Sequence, residues 1–234
     1  MSYFTKDTLA FLRGLARHNN KPWFEAHRDD YERHLKEPMG ELVEEMAVRL
    51  SHTAPEMTGD PKRSVFRIYR DVRFSKDKSP YKNNAGCWFF HAASTSKVGR
   101  EAHGGGAGFY FHLQPGHCFV AGGCWMPPRP ALQRFRKALV EDVRGWERIV
   151  LAPAFRRRFG ALSEDDMLKR VPRGFDPESP AARWLKYQSF TVSRPLTDAQ
   201  VTSGRLTTLI ASDFALLTPL VRWLNGTLGL EAGE

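Results

Sequence analysis

The chain has 234 residues, 41% of them hydrophobic and 12% aromatic, and its 35 Lys and Arg against 26 Asp and Glu leave a net charge of +9. Such a chain fills one core, no apolar run reaches the roughly 18 residues of a membrane span, and Met-Ser-Tyr-Phe-Thr-Lys lacks the basic-then-apolar order of a secretory leader. A cytoplasmic globular protein without a membrane partner is therefore expected, and Cys87, Cys118 and Cys124, an odd count too small for a disulfide framework, agree with a reducing compartment.

The first fifty residues have helical spacing. In TKDTLAFLRGLARHNN, Leu9, Leu12 and Ala16 recur with Phe11 and Leu15 beside them, behind a Thr5 cap. A second helix starts after Asn20, with Pro22 in its first turn and Phe24, Tyr31 and Leu35 along one stripe. Pro38 opens a third, with Leu42, Val43, Met46, Ala47 and Leu50 on its apolar face. VFRIYRDVRF then alternates as a strand does: Phe66, Ile68, Val72 and Phe74 share a face with Arg70 among them, and Arg67, Tyr69, Asp71 and Arg73 take the other. Further strands are expected over 86–92 and 107–113, where Ala107, Phe109, Phe111 and Leu113 point one way and Tyr110 and His112 the other. QPGH turns the latter into CFVAGGCWM, a hairpin. Leu132, Phe135, Leu139 and Val143 return to helical spacing until Pro153, a Pro/Gly-rich connection leads to a late strand in YQSFTVSRPL, and residues 203–226 form a helix bent at Pro219. The sum is a single α+β domain over 1–234, a mainly antiparallel sheet covered by N-terminal and C-terminal helices.

Charge is concentrated. Residues 61–82 hold 8 basic and 2 acidic side chains, two-thirds of the net +9, which predicts a positive surface potential and an acidic partner. On an apolar strand face, Arg70 needs an anion: Asp71, Asp77, a carboxylate of the N-terminal helices, or a ligand phosphate or carboxylate matching its planar fork. Lys76, Lys78 and Lys82 surround Pro80 and Tyr81 in a segment of turn composition.

Three readings stand side by side. In the first, the segment 67–82 binds a nucleotide, a phosphorylated metabolite or nucleic acid: Arg70 and Arg73 grip the anion, Lys76, Lys78 and Lys82 supply field, and Tyr81 stacks on a base or sugar or donates its hydroxyl. In the second, an enzyme uses the same pocket with Asp71 or Tyr81 as acid–base group. In the third, the cations pair internally with carboxylates and the block is structural, with charges guarding an edge strand.

Other motifs carry less. GGGAG at 104–108 precedes a strand rather than a helix, so it reads as a connection and not a phosphate loop. Cys87, His91, His112, Cys118 and Cys124 lack zinc spacing, and no metal or cofactor is expected. The RRR at 156–158 follows a helical stripe and reads as a solvated face, and neither clustered carboxylates nor a nucleophile elbow accompanies the basic block.

The run Arg70-Asp71-x-Arg73-Phe74-Ser75-Lys76-Asp77-Lys78-x-Pro80-Tyr81-Lys82 is long and specific, with NNKPWF and Tyr31 before it and GGCWMP (122–127) and LKRVPRGFDPESPAARWLKYQSF (168–190) after it. In these segments the chain resembles conserved hypothetical proteins of bacteria and fungi grouped as domain of unknown function 2461. The resemblance implies a complete single-domain bacterial-type member and brings no activity with it.

Overall fold

The structure, a computed structural model, describes residues 2–73, 76–94 and 106–232. Helix α1 (Lys6–Arg17) starts in a capping box: Thr5 Oγ1 accepts from Asp7 N, and Thr5 N donates to Thr8 Oγ1. Asn20 caps α2 (Lys21–Ala26), and α3 (Arg28–Tyr31) passes through a π-helical turn, Glu32–Lys36, directly into α4 (Glu37–Thr53). Pro38 stands in the first turn of α4, as expected, but no break precedes it. Proline has no N–H for the carbonyl four residues back. That carbonyl, of His34, instead accepts from Thr8 Oγ1 at 2.8 Å, and the wider π turn makes room for the ring.

The sheet is a five-stranded antiparallel meander in sequence order: β1 (Met57–Thr58), β2 (Ala85–His91), β3 (Gly108–Leu113), β4 (Cys118–Cys124) and β5 (Phe190–Leu196). Short α5 (Pro61–Ser64) precedes the basic segment. Helices α6 (Arg129–Glu141), α7 (Val143–Val150), α8 (Pro153–Phe159) and α9 (Ala182–Leu185) fill the connection from β4 to β5, and α10 (Asp198–Val201) leads to α11 (Leu206–Thr227). The architecture is α+β, as composition and periodicity predict.

One expected strand does not form. Between residues 65 and 73 only Val65 and Tyr69 make bridges, to Cys87 and Tyr81. Ile68 is buried as the alternation requires, but Val72 is 37% exposed and Arg70 is only partly buried. The cause is local competition. Asp71 Oδ1 accepts from Arg73 N at 3.2 Å and Asp77 Oδ1 from Ser79 N at 2.9 Å, turn-forming bonds that replace a ladder. Phe74 and Ser75, and Gly104 and Gly105 of the GGGAG segment, lie outside the described residues.

The sheet's two faces differ. On one, Phe214 of α11 stacks on Phe109 at 4.6 Å and meets Phe89 edge-on at 5.5 Å, and Phe4 stacks on Phe111 at 5.9 Å. Gly122 lies against Leu217, where an added Cβ would come within 3.0 Å of the leucine. Asp213 of α11, 0% exposed, accepts from Arg158 Nε of α8 at 2.5 Å and from Arg194 of β5, so one carboxylate ties three elements together. On the other face the residues of β3 and β4 are only half-buried, the alternation expected of an antiparallel sheet covered on one side. Replacing Asp213 by Ala leaves two guanidinium groups without their shared anion and should cost about 3–5 kcal/mol in urea unfolding. A loss near zero would mean that water serves the two arginines equally well.

Candidate anion site

The basic segment divides into an inner and an outer part. Its inner part is fastened to the N-terminal helices. Asn19, between α1 and α2, donates from Nδ2 to Tyr81 O and accepts from Tyr81 N, both at 3.0 Å. The Tyr81 ring, 2% exposed, stacks on Phe24 at 4.2 Å with Tyr69 beside it at 5.4 Å. Stacking of Tyr81 on a ligand, as the sequence suggested, is therefore not available: its ring faces are taken up in the core. Arg70 finds its anion inside the segment, with Nη2 3.0 Å from Asp77 Oδ2 and Nε and Nη2 donating to Tyr81 O at 3.3 and 3.2 Å. Its backbone N–H donates to Pro80 O at 2.9 Å and closes the loop.

The outer part is exposed. Arg73 clasps Asp71 through Nε at 2.9 Å and Nη2 at 2.7 Å, which holds the Asp71 carboxyl below the usual carboxylate range and leaves it a weak base. Burial raises the Tyr81 phenol, with the charges of Tyr69 and Glu25 adding to it. Lys78 Nζ donates to Val72 O at 2.8 Å, and Lys76 is exposed without a partner among the described residues.

Lys82 sits apart from these, at the border of the half-open sheet face. Its half-buried ammonium lies over the Phe66 ring, 5.4 Å from the centroid, and no carboxylate among the described residues pairs with it. Burial lowers its pKa from the ordinary lysine value, and repulsion from Arg67 and Arg70 lowers it further. Phe66 meets Tyr110 edge-on at 5.8 Å, Tyr110 meets Phe119 at 5.7 Å, and Phe119 stacks on His112 at 4.5 Å. An aromatic row thus runs across β3 and β4 from the cation. Gly86 makes it possible: a Cβ there would lie 2.5 Å from Tyr110 Oη, the hydroxyl that meets His112 Nδ1 at 2.9 Å. Burial lowers the His112 pKa and raises that of Tyr110.

The candidate residues therefore do not converge on one pocket. Arg70 and Tyr81 anchor the segment, Arg73, Lys76 and Lys78 ride on the outer loop, and Lys82 joins Arg67 beside the sheet. Sequence reasoning did not bring Phe66, Tyr110 and Phe119 together as a row beside the basic segment, and it weighed His112 only as a metal ligand. Their signal was present in the opposite phase of Tyr110 and His112 to Phe109 and Phe111, and in the hairpin that brings Phe119 opposite His112. Among the described residues no cluster of three metal-ligating side chains occurs, and Cys87, Cys118 and Cys124 are buried thiols whose pKa burial pushes up.

A family model described as conserved hypothetical protein (DUF2461) matches residues 7–223. Neither the curated proteins nor the solved structures gave a match.

Two outcomes follow from this geometry. Arg70→Ala should cost about 1–2 kcal/mol of stability by removing the donors to Tyr81 O, whereas Lys76→Ala should leave thermal unfolding unchanged within error. Because His112 resists protonation in the folded state, its contribution to stability is present above the unfolded histidine pKa of about 6.5 and is lost as pH falls toward the lower folded value. The wild-type Tm should accordingly drop more than that of His112→Gln between neutral pH and pH about 5. Parallel curves would contradict it.

Proposed function

We propose that this chain, which belongs to the conserved hypothetical protein family DUF2461, binds an anionic ligand that also carries flat rings, a nucleotide or single-stranded nucleic acid. The ligand lies where residues 67–82 border the aromatic sheet face. The observation that carries this reading is Lys82, a half-buried cation without a carboxylate partner among the described residues, held over Phe66 at the end of the row Phe66, Tyr110, Phe119 and His112. A phosphate placed there relieves the repulsion among Lys82, Arg67 and Arg70 and offsets the cost of burying the ammonium. Base stacking on the open parts of these half-buried rings adds roughly 1–3 kcal/mol per base. Arg73, Lys76 and Lys78 on the outer loop contribute field along a longer ligand. A phosphorylated metabolite without a ring would use only the cationic half.

The internal pairs Arg70–Asp77 and Arg73–Asp71 favour a second reading, in which the block is chiefly structural. The acid–base reading has less physical support, because Asp71 is a weakened base and Tyr81 a weakened acid.

Fluorescence anisotropy with a labelled single-stranded oligonucleotide, beside thermal shift with mononucleotides, separates these readings. Lys82→Gln and Phe119→Ala should each weaken binding by about tenfold with the fold intact, and an oligonucleotide should lose affinity with salt at a log–log slope of roughly −0.7 per neutralised phosphate. A shallow slope with mononucleotide binding retained would identify a small-ligand site. Absence of binding by the oligonucleotide and by every mononucleotide would leave the structural reading.

A further inference from the structure

A cavity of about 990 Å³ is lined by residues of the connection between β4 and β5 and the start of β5, none of them from the basic segment. It is lined from three directions: the turn after β4 brings Trp125 and Met126, α6 brings Arg129, Leu132 and Arg136, and the segment 163–168 brings Asp165, Asp166 and Leu168. Its size suits a small organic ligand. Part of the lining, Trp125, Met126, Leu168 and Ser189, comes from the GGCWMP and LKRVPRGFDPESPAARWLKYQSF segments, which the sequence singled out without giving them a role.

Arg136 is the informative group. It is 4% exposed, yet it has no carboxylate within ion-pair distance among the described residues. Its Nε donates to Leu185 O at 3.0 Å and its Nη2 to Tyr187 O at 3.4 Å. Those carbonyls orient the guanidinium but do not neutralise it, and the uncompensated burial lowers its pKa. Nη1 donates to nothing among the described residues. Asp165 and Asp166 likewise line the cavity without a cation within ion-pair distance; Asp165 accepts from Ser163 Oγ and Asp166 from Ser189 Oγ. Opposite charges thus border one space without pairing with each other.

The rim is built under strain. Met126 has φ +46, a left-handed conformation that costs a non-glycine residue of order 1 kcal/mol or more and is held by its N–H donating to Ser189 Oγ at 3.0 Å. The same hydroxyl donates to Asp166 Oδ2 at 2.7 Å, so one serine fixes both the rim and the acidic wall. Trp125 and Met126, 59% and 55% exposed, give the mouth an apolar edge.

We infer that this cavity binds a zwitterion with an apolar body, the chemistry of an apolar amino acid or short peptide, its carboxylate on Arg136 and its ammonium on Asp165 and Asp166. A carboxylate matches the planar guanidinium fork. The two aspartates disfavour a phosphate or any multiply charged anion, which separates this site from the one beside Lys82.

The test is calorimetric titration of the whole protein with L-phenylalanine and the dipeptide leucyl-phenylalanine, alongside 3-phenylpropionate, which lacks the ammonium, and phenethylamine, which lacks the carboxylate. The zwitterions should bind about tenfold more tightly than either half-probe. Asp165→Asn with Asp166→Asn should abolish that advantage while leaving 3-phenylpropionate binding unchanged, and Lys82→Gln should alter neither. Arg136→Gln removes two bonds to the 185–187 turn and can unfold the chain, so the aspartate pair, which keeps its hydrogen-bond acceptors, bears the decision. Silence from all four probes on the wild type, equal affinity for 3-phenylpropionate and the dipeptide, or an unchanged zwitterion preference in the double variant would each overturn the inference.

Discussion

The seating of α11 on the sheet is the contact on which the rest depends. Phe214 lies against Phe109 and Phe89, Leu217 against Gly122, and a continuous stripe from Leu206 to Leu224 is buried with them. Each buried side chain of this size contributes roughly 1.5–3 kcal/mol, and a 22-residue helix supplies enough of them to fix which sheet face is the core. Asp213 then binds α8 and β5 to the same helix through Arg158 and Arg194. With α4 packed on β1, β2 and α11, the opposite face keeps a half-exposed aromatic row. That asymmetry creates the surface to which the basic segment adds its charge.

The segment itself serves two physical purposes at two distances from the core. Near α2, backbone and ring are immobilised: Asn19 satisfies both polar groups of the Tyr81 backbone, Phe24 covers the ring, and Arg70 spends its donors on Tyr81 O and Asp77. An arginine so placed is a strut. Toward the sheet, Lys82 is half-buried over the Phe66 ring rather than against a carboxylate, with Arg67 and Arg70 near enough to repel it. A fixed strut holding an under-compensated cation beside flat rings is a preorganised arrangement, and preorganisation lowers the ordering cost that binding must overcome.

Much of this was legible in the chain. Thr5 and Asn20 mark their helices through hydroxyl and amide caps that act locally, and the QPGH hairpin follows from turn chemistry alone. What local pattern missed required partners distant in sequence. Pro38 marks the first turn of α4 as the sequence indicates, but the π turn that joins α4 to α3 without a break, with Thr8 donating to His34 O, leaves no local signal. The alternation of 65–74 promised a strand, but Asp71 and Asp77 supply turn bonds that periodicity does not weigh. Tyr81 carried the stacking role in the sequence because it stands among the lysines; Phe66 meets Lys82, and Tyr110 and Phe119 extend the row from it, only after folding. The cavity at Arg136 was invisible for the same reason, since its walls come from segments separated by dozens of residues.

The most direct test of the anion-binding account is a titration of the protein with a short thymidine oligonucleotide and with adenosine monophosphate, followed by the aromatic resonances of its Phe and Tyr side chains. The account predicts that Phe66, Tyr110 and Phe119 shift in concert while Tyr81 and Phe24, closed in the core, stay fixed. Shifts at Tyr81 with the sheet face unmoved, or no aromatic response to either ligand, would contradict it.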